Sequence, residues 1–182
     1  MRNMSTYEAI QFHRQNGTAV ELKPMLQEDA GTLRSLLSQP ELRTHIVMRG
    51  DGLQNASMEK LMNRMLLAYD PCALHAGIYR SGDSELIGTV SLQCWNRRNG
   101  SAILGYLLDP VWWGRGFATE AVRLLLNYSF YELGITEVEG RCRESNSRSA
   151  RVMLKNGMLL ERVIPNVGSE RDCINVFRLL HK

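Results

Sequence analysis

The stretch Trp113-Gly114-Arg115-Gly116-Phe117-Ala118-Thr119-Glu120 joins a strand-like apolar run to an amphipathic helix, with little side-chain bulk at its centre. Glycine lets a backbone approach a ligand closely, and the free N–H groups and positive dipole end of a helix attract an anion. A diphosphate is the natural occupant of such a turn. The spacing excludes two common phosphate sites. A triphosphate-binding loop needs a lysine after its last glycine, and none follows Gly116. A dinucleotide fold needs a third glycine where Thr119 stands, and a βαβ unit opening at the motif, whereas here three strand-length runs precede it. Glu139 lies near the spacing of a ribose-binding carboxylate but falls inside a strand.

Reading outward from this turn, the helix that follows covers residues 118–133, with Ala118, Val122, Leu125, Leu126 and Ser129 inward and Gly134 as its stop. Upstream, apolar runs at 73–79, 85–94 and 101–109 are separated by Ser81-Gly82-Asp83 and Asn96-Arg97-Arg98-Asn99-Gly100, which predicts an antiparallel meander. Downstream, residues 136–143 alternate as a strand, with Val138, Gly140 and Cys142 on one face. A helix over 147–156 closes at Gly157, and two strands, 158–164 and 173–180, flank a turn around Asn166-Val167-Gly168. Near the start, Val20 and Leu22 form a short edge strand ended by Pro24. Asp29 caps a helix carrying Leu33, Leu36 and Leu37, which Pro40 ends. A second helix over 57–69 has Met58, Leu61, Met62, Met65 and Leu66 as a core stripe.

The order is therefore βααβββαβαββ. Because the strand, helix, strand unit over 101–143 must be parallel with a right-handed crossover, the fold class is α/β (α+β). It predicts a mixed, mostly antiparallel seven-stranded sheet with helices on both faces. Residues 1–17 read as an N-terminal extension and 18–182 as a single domain.

Composition narrows the function. The 182 residues carry 22 Lys+Arg against 19 Asp+Glu, a net charge of +3, and 44% are apolar. No basic run marks a nucleic-acid face, so no direct nucleic-acid partner is expected. No apolar stretch reaches the roughly 18 residues of a membrane span, and the start lacks a signal-type apolar core, so the expectation is a cytoplasmic protein without a membrane partner. Cys72, Cys94, Cys142 and Cys173 are too scattered for a zinc pattern and read as reduced, mostly buried thiols; no metal is expected.

The central segment resembles the GNAT superfamily of acyl-CoA-dependent N-acetyltransferases. That family carries Gln/Arg-x-x-Gly-x-Gly/Ala at a helix start; Gly116 and Ala118 match, while Trp113 replaces the commoner Gln or Arg. Gly105-Tyr106-Leu107-Leu108-Asp109-Pro110, the turn itself, Asn146-Ser147-Arg148-Ser149, Lys155-Asn156-Gly157-Met158 and Arg171-Asp172 are similar to the ribosomal-protein N-acetyltransferase branch. The resemblance implies acetyl-CoA as cosubstrate and direct attack of a primary amine on the thioester, with no covalent enzyme intermediate. It assigns the coenzyme pyrophosphate to Gly114, Arg115, Gly116, Phe117, Ala118 and Thr119, and the pantetheine arm to Leu107, Leu108 and Asn146. The Leu108 N–H would stabilise the thioester oxyanion, and Ser149 the leaving thiolate.

Two groups common in the family are replaced: Ile103 stands where the branch often has a glutamate, and Met153 where many members have a tyrosine acid. Candidates for the base are Glu144, Glu170 and His75. The acceptor implied is a protein N-terminal amine; a small-molecule amine (polyamine, amino acid or antibiotic) and a non-catalytic acyl-CoA-binding module are the alternatives. Asp51, Asp70, Glu144 and Glu170 are acids that could line a groove for a cationic acceptor. Self-association into a homodimer is left open.

Overall fold

Period-two alternation of apolar side chains places eight strands in one sheet in a computed structural model that describes residues 12–44, 55–66, 73–166 and 172–181. The elements in chain order are β1 (Gln15–Asn16), β2 (Val20–Lys23), α1 (Ala30–Ser38), α2 (Pro40–Arg43), α3 (Asn55–Leu66), β3 (Leu74–Arg80), β4 (Leu86–Asn96), β5 (Ser101–Leu108), α4 (Phe117–Tyr131), β6 (Glu137–Arg143), α5 (Ser147–Lys155), β7 (Leu159–Pro165) and β8 (Cys173–Leu180). Strands lie in the order β1-β2-β3-β4-β5-β6-β8-β7. Every neighbouring pair is antiparallel except β5 and β6, which are parallel and joined through α4.

The mixed, mostly antiparallel sheet agrees with the sequence reading, but it has eight strands and not seven. The extra strand is β1, whose Gln15 and Asn16 pair with Leu22 and Glu21 across a turn at Gly17. Phe12 is buried as well, its ring 4.7 Å from that of Tyr128. As a result β2 is flanked on both sides and is not the edge.

Strand alternation sends Leu74, Ala76 and Ile78 of β3 to one face, where α4 packs Ala121, Val122, Leu125 and Leu126 onto them. Burying each such Leu or Val stabilises the fold by about 1.5–3 kcal/mol. α5 lies on this face too, setting Met153 against β6. On the opposite face, Tyr79 and Leu86 meet Leu33, Leu36 and Leu37 of α1, Leu42 of α2 and Met58, Met62 and Met65 of α3. The methionine stripe is core. Helices thus cover both faces.

Local chemistry differs from expectation at three places. Pro40 ends α1 but also opens α2, since its fixed φ and missing N–H suit a first helical position. The Asp29 carboxylate does not cap α1: it accepts from the Leu26 N–H at 2.8 Å and the Tyr79 hydroxyl at 2.6 Å, holding the tight turn before the helix. Of the described thiols, Cys142 is buried, Cys173 half-buried, and Cys94 exposed at a bulge with φ of 49°. Cys72, the end of the second predicted helix and the turn at 167–168 lie outside the described residues. Among the described residues no helix is long and apolar enough to cross a membrane.

Candidate active site

β5 and β6 pair only from Ser101 and Glu137 to Leu104 and Gly140. Beyond that point β5 stays with β4 as far as Leu108 and Gly88, and β6 stays with β8 as far as Arg143 and Ile174. The two parallel strands therefore diverge, leaving a gap between residues 105–108 and 141–143. Bonding parity decides which backbone groups face it. Asp109 N–H donates to the Ile87 carbonyl at 2.8 Å, so in this antiparallel pair the odd-numbered residues of β5 exchange bonds with β4. The N–H and C=O of Leu107 point to β4, while those of Tyr106 and the N–H of Leu108 point to the gap. Leu107, predicted to bind pantetheine, instead holds β5 to β4 and packs its side chain with the α1–α3 core.

At the mouth of the gap, Asp109 accepts from the Val111 N–H at 3.0 Å and shapes a single tight turn, Pro110–Trp112. Trp113 then donates its indole N–H to the Leu108 carbonyl at 2.7 Å. This bond is what the tryptophan contributes at a position where Gln or Arg is commoner. Gly114 and Gly116 have φ of 78° and 84°, a region costly for other residues, and a Cβ on either would meet nothing within 4 Å. The space in front of the loop is open. Gly116 is the N-cap of α4 and offers its first turn no side-chain partner. Glu120, the one acid in that turn, faces away, accepting from the N–H groups of Thr18 and Ala19. The first-turn amides are thus left for an outside anion, flanked by Arg115 and Arg80 against the Trp112 ring and Arg148 over Trp113. Phe117 packs its ring 5.8 Å from Trp112, fixing the loop, and Ala118 and Thr119 continue the turn.

The far wall is built by α5. Asn146 accepts the Ser149 N–H at 3.1 Å, an ordinary helix cap that fixes the serine. Ser149 Oγ lies 2.6 Å from Tyr106 Oη, and the phenol also reaches the Ser149 carbonyl at 2.9 Å. Burial raises the Tyr106 pKa well above its usual value, against a smaller lowering by the Ser149 hydrogen bond. Cys142, hydrogen-bonded to Ser149, is pushed up to about 11, again chiefly by burial. Met153 is 1% exposed and packs on Gly140, where a Cβ would come within 2.5 Å of its sulfur. That position is core, and Tyr106, on the β5 wall of the gap, is a phenol that the sequence reading passed over. Its signal was present in the Gly105-Tyr106 pair, but its partner on α5 is set only by folding. Asn156 ties α5 back to α4, donating to the Thr119 carbonyl at 3.2 Å.

The base candidates are dispersed. Glu144 is exposed in the turn between β6 and α5. His75 is buried on β3, with β4 standing between it and β5. Glu170, Asp51, Asp70 and Arg171 lie outside the described residues. Ile103, in the place of the branch glutamate, pairs with Glu139 of β6, so a carboxylate does stand beside it on the next strand. Glu139 is held by Arg141 and Arg162; burial would raise its pKa, but those guanidinium groups keep it below the ordinary carboxylate value. A hollow lined by Trp95, Arg97, Gly100, Glu132, Leu133 and Gly134 lies at the other end of β5 and holds no predicted site residue.

A parallel pair splayed beside a glycine-lined helix start makes an extended groove with an anion site at one end, and comparison with known proteins says which family builds it. Residues 19–159 match the acetyltransferase (GNAT) domain family. The chain is 41% identical over 90 residues to the probable N-acetyltransferase YjcK of Bacillus subtilis, covering 49% of this chain and 50% of that one. It is 32% identical over 79 residues to the ribosomal-protein-serine acetyltransferase of Escherichia coli, covering 43% and 44%. Each of these matches spans about half the length of the relative or less. A spermidine N-acetyltransferase from Vibrio cholerae, solved with CoA and spermine, superposes with a TM-score of 0.76 at 18% identity over 89% of this chain and 95% of that one. The chain belongs to the GNAT acetyltransferase family, whose activity is acetyl-CoA-dependent N-acetyl transfer.

Proposed function

We propose that the chain acetylates the α-amino group of a protein N-terminus in the cytoplasm. The observation that carries the reading is the β5–β6 gap opening beside the uncapped first turn of α4. The N–H groups from Gly114 to Thr119 bind the coenzyme pyrophosphate, with Arg115 at its edge. Tyr106 and Leu108 pair through their backbones with the pantetheine arm, and the Asn146 amide N–H₂, left over from capping, donates to a pantetheine carbonyl. The amine nitrogen bonds to the thioester carbon as the C–S bond breaks, and the electron pair leaves on sulfur. Leu108 N–H stabilises the oxyanion, an effect of about 3 kcal/mol in comparable sites. Ser149 donates to the thiolate, and Glu144 at the exposed turn takes the proton lost by the ammonium.

Charge favours a peptide over a polyamine. Each carboxylate of β6 is already ion-paired, Glu137 with Arg178 and Glu139 with Arg141 and Arg162, so that strand offers a polycation no free acid. The match to a ribosomal-protein acetyltransferase supports the same acceptor class.

A CoA-release assay with N-terminal peptides, spermidine, free amino acids and an aminoglycoside tests this reading. Turnover is expected with peptides and abolished by blocking their α-amine. Fast release with spermidine but none with peptides would overturn the acceptor assignment.

A further inference from the structure

Tyr106 projects from β5 to α5 across one face of the gap, and three polar groups meet there: its phenol, the Ser149 hydroxyl and the Cys142 thiol. A serine hydroxyl has one proton to give and two lone pairs to fill. In the first turn of a helix it ordinarily donates to a nearby backbone carbonyl, which removes it from chemistry. Here the Ser149 hydroxyl is engaged by side chains instead, lying 2.6 Å from the phenol oxygen and beside the Cys142 thiol.

We propose that Tyr106 is a positioning residue for acetyl transfer: its phenol O–H donates to the Ser149 carbonyl at 2.9 Å, and its oxygen, 2.6 Å from Ser149 Oγ, holds the serine hydroxyl in place until its single proton turns to sulfur. At rest the neighbouring sulfur is Cys142 Sγ; during transfer it is the departing thiolate of CoA. A thiol is a weak acceptor and a thiolate a strong one, so the hydroxyl exchanges partners when charge develops. No proton need leave Tyr106, and burial keeps the phenol protonated through the range in which a thiol ionises. The inference rests on the acetyl-CoA reading of the gap.

The test compares binding of CoA and desulfo-CoA by calorimetry between pH 7 and 9.5, which needs no acceptor. The wild type is expected to gain about tenfold for CoA over desulfo-CoA as rising pH ionises the coenzyme thiol. In Tyr106→Phe that gain falls to within about threefold, while the unfolding temperature drops by only a few degrees and desulfo-CoA still binds. Ser149→Ala, which keeps the phenol and removes the hydroxyl, loses the gain independently. An undiminished gain in either variant overturns the proposal, as does a wild type that binds both ligands equally at every pH. A wild type that binds neither ligand overturns the acetyl-CoA reading itself, and this inference with it.

Discussion

The helices that follow β5 and β6 start on opposite sides of the gap, and their first turns satisfy their amides in opposite ways. α5 is closed by its own sequence: Asn146 accepts from Ser149 N–H at 3.1 Å, so the turn is a rigid mount for the serine. α4 is left open: Gly116 has no side chain, and Glu120 is committed to Thr18 and Ala19. Open amides with a helix dipole behind them attract phosphate, whereas capped amides position side chains. One strand-to-helix turn therefore binds and the other aims, and the Asn156 bond to the Thr119 carbonyl locks the two together.

Substitution separates the two roles. Gly116→Trp fills the open space before α4 and is expected to lower acetyl-CoA affinity at least about 100-fold by calorimetry, because uncapped amides are the main anion contact. An equally tight complex would mean that α4 is not the pyrophosphate site. Asn146→Ala should do less to binding and more to the fold. Losing a helix cap costs about 1 kcal/mol, a drop of roughly 2–4 °C in thermal unfolding, with turnover falling about fivefold as Ser149 loosens. If its acetyl-CoA affinity fell as far as that of Gly116→Trp, the contrast between the turns would collapse. The smallest effect concerns Cys142 under α5. With its thiol pushed up to about 11 it is almost wholly protonated at pH 8, so iodoacetamide should label exposed Cys94 well before it. Peptide mass spectrometry reads the order, and labelling of Cys142 should quicken as the pH rises toward 11. Cys142 labelled first at pH 8 would show that its side of the gap is open to solvent.

Much of this architecture was legible because strands and helices of five or more residues repeat their apolar period. β1 was not: two residues carry no period, and only pairing with Leu22 and Glu21 makes it a strand. α2 was hidden behind Pro40, which as a residue type both ends one helix and starts the next. In the site, the glycine turn and the Asn146 cap could be read directly, since both are local. The choice between Leu107 and Tyr106 could not, because bonding parity depends on the register with β4. For the same reason Glu139 beside Ile103, Met153 on Gly140 and Tyr106 against Ser149 emerge only from tertiary packing.

The central claim is that coenzyme A lies in the β5–β6 gap with its pyrophosphate on the first turn of α4. Amide hydrogen exchange with and without CoA tests it most directly. Slowed exchange is predicted at Tyr106, Leu108 and the amides from Gly114 to Thr119, with Leu107, already bonded to β4, changing little. Protection confined to other strands, or none at saturating CoA, would contradict the account.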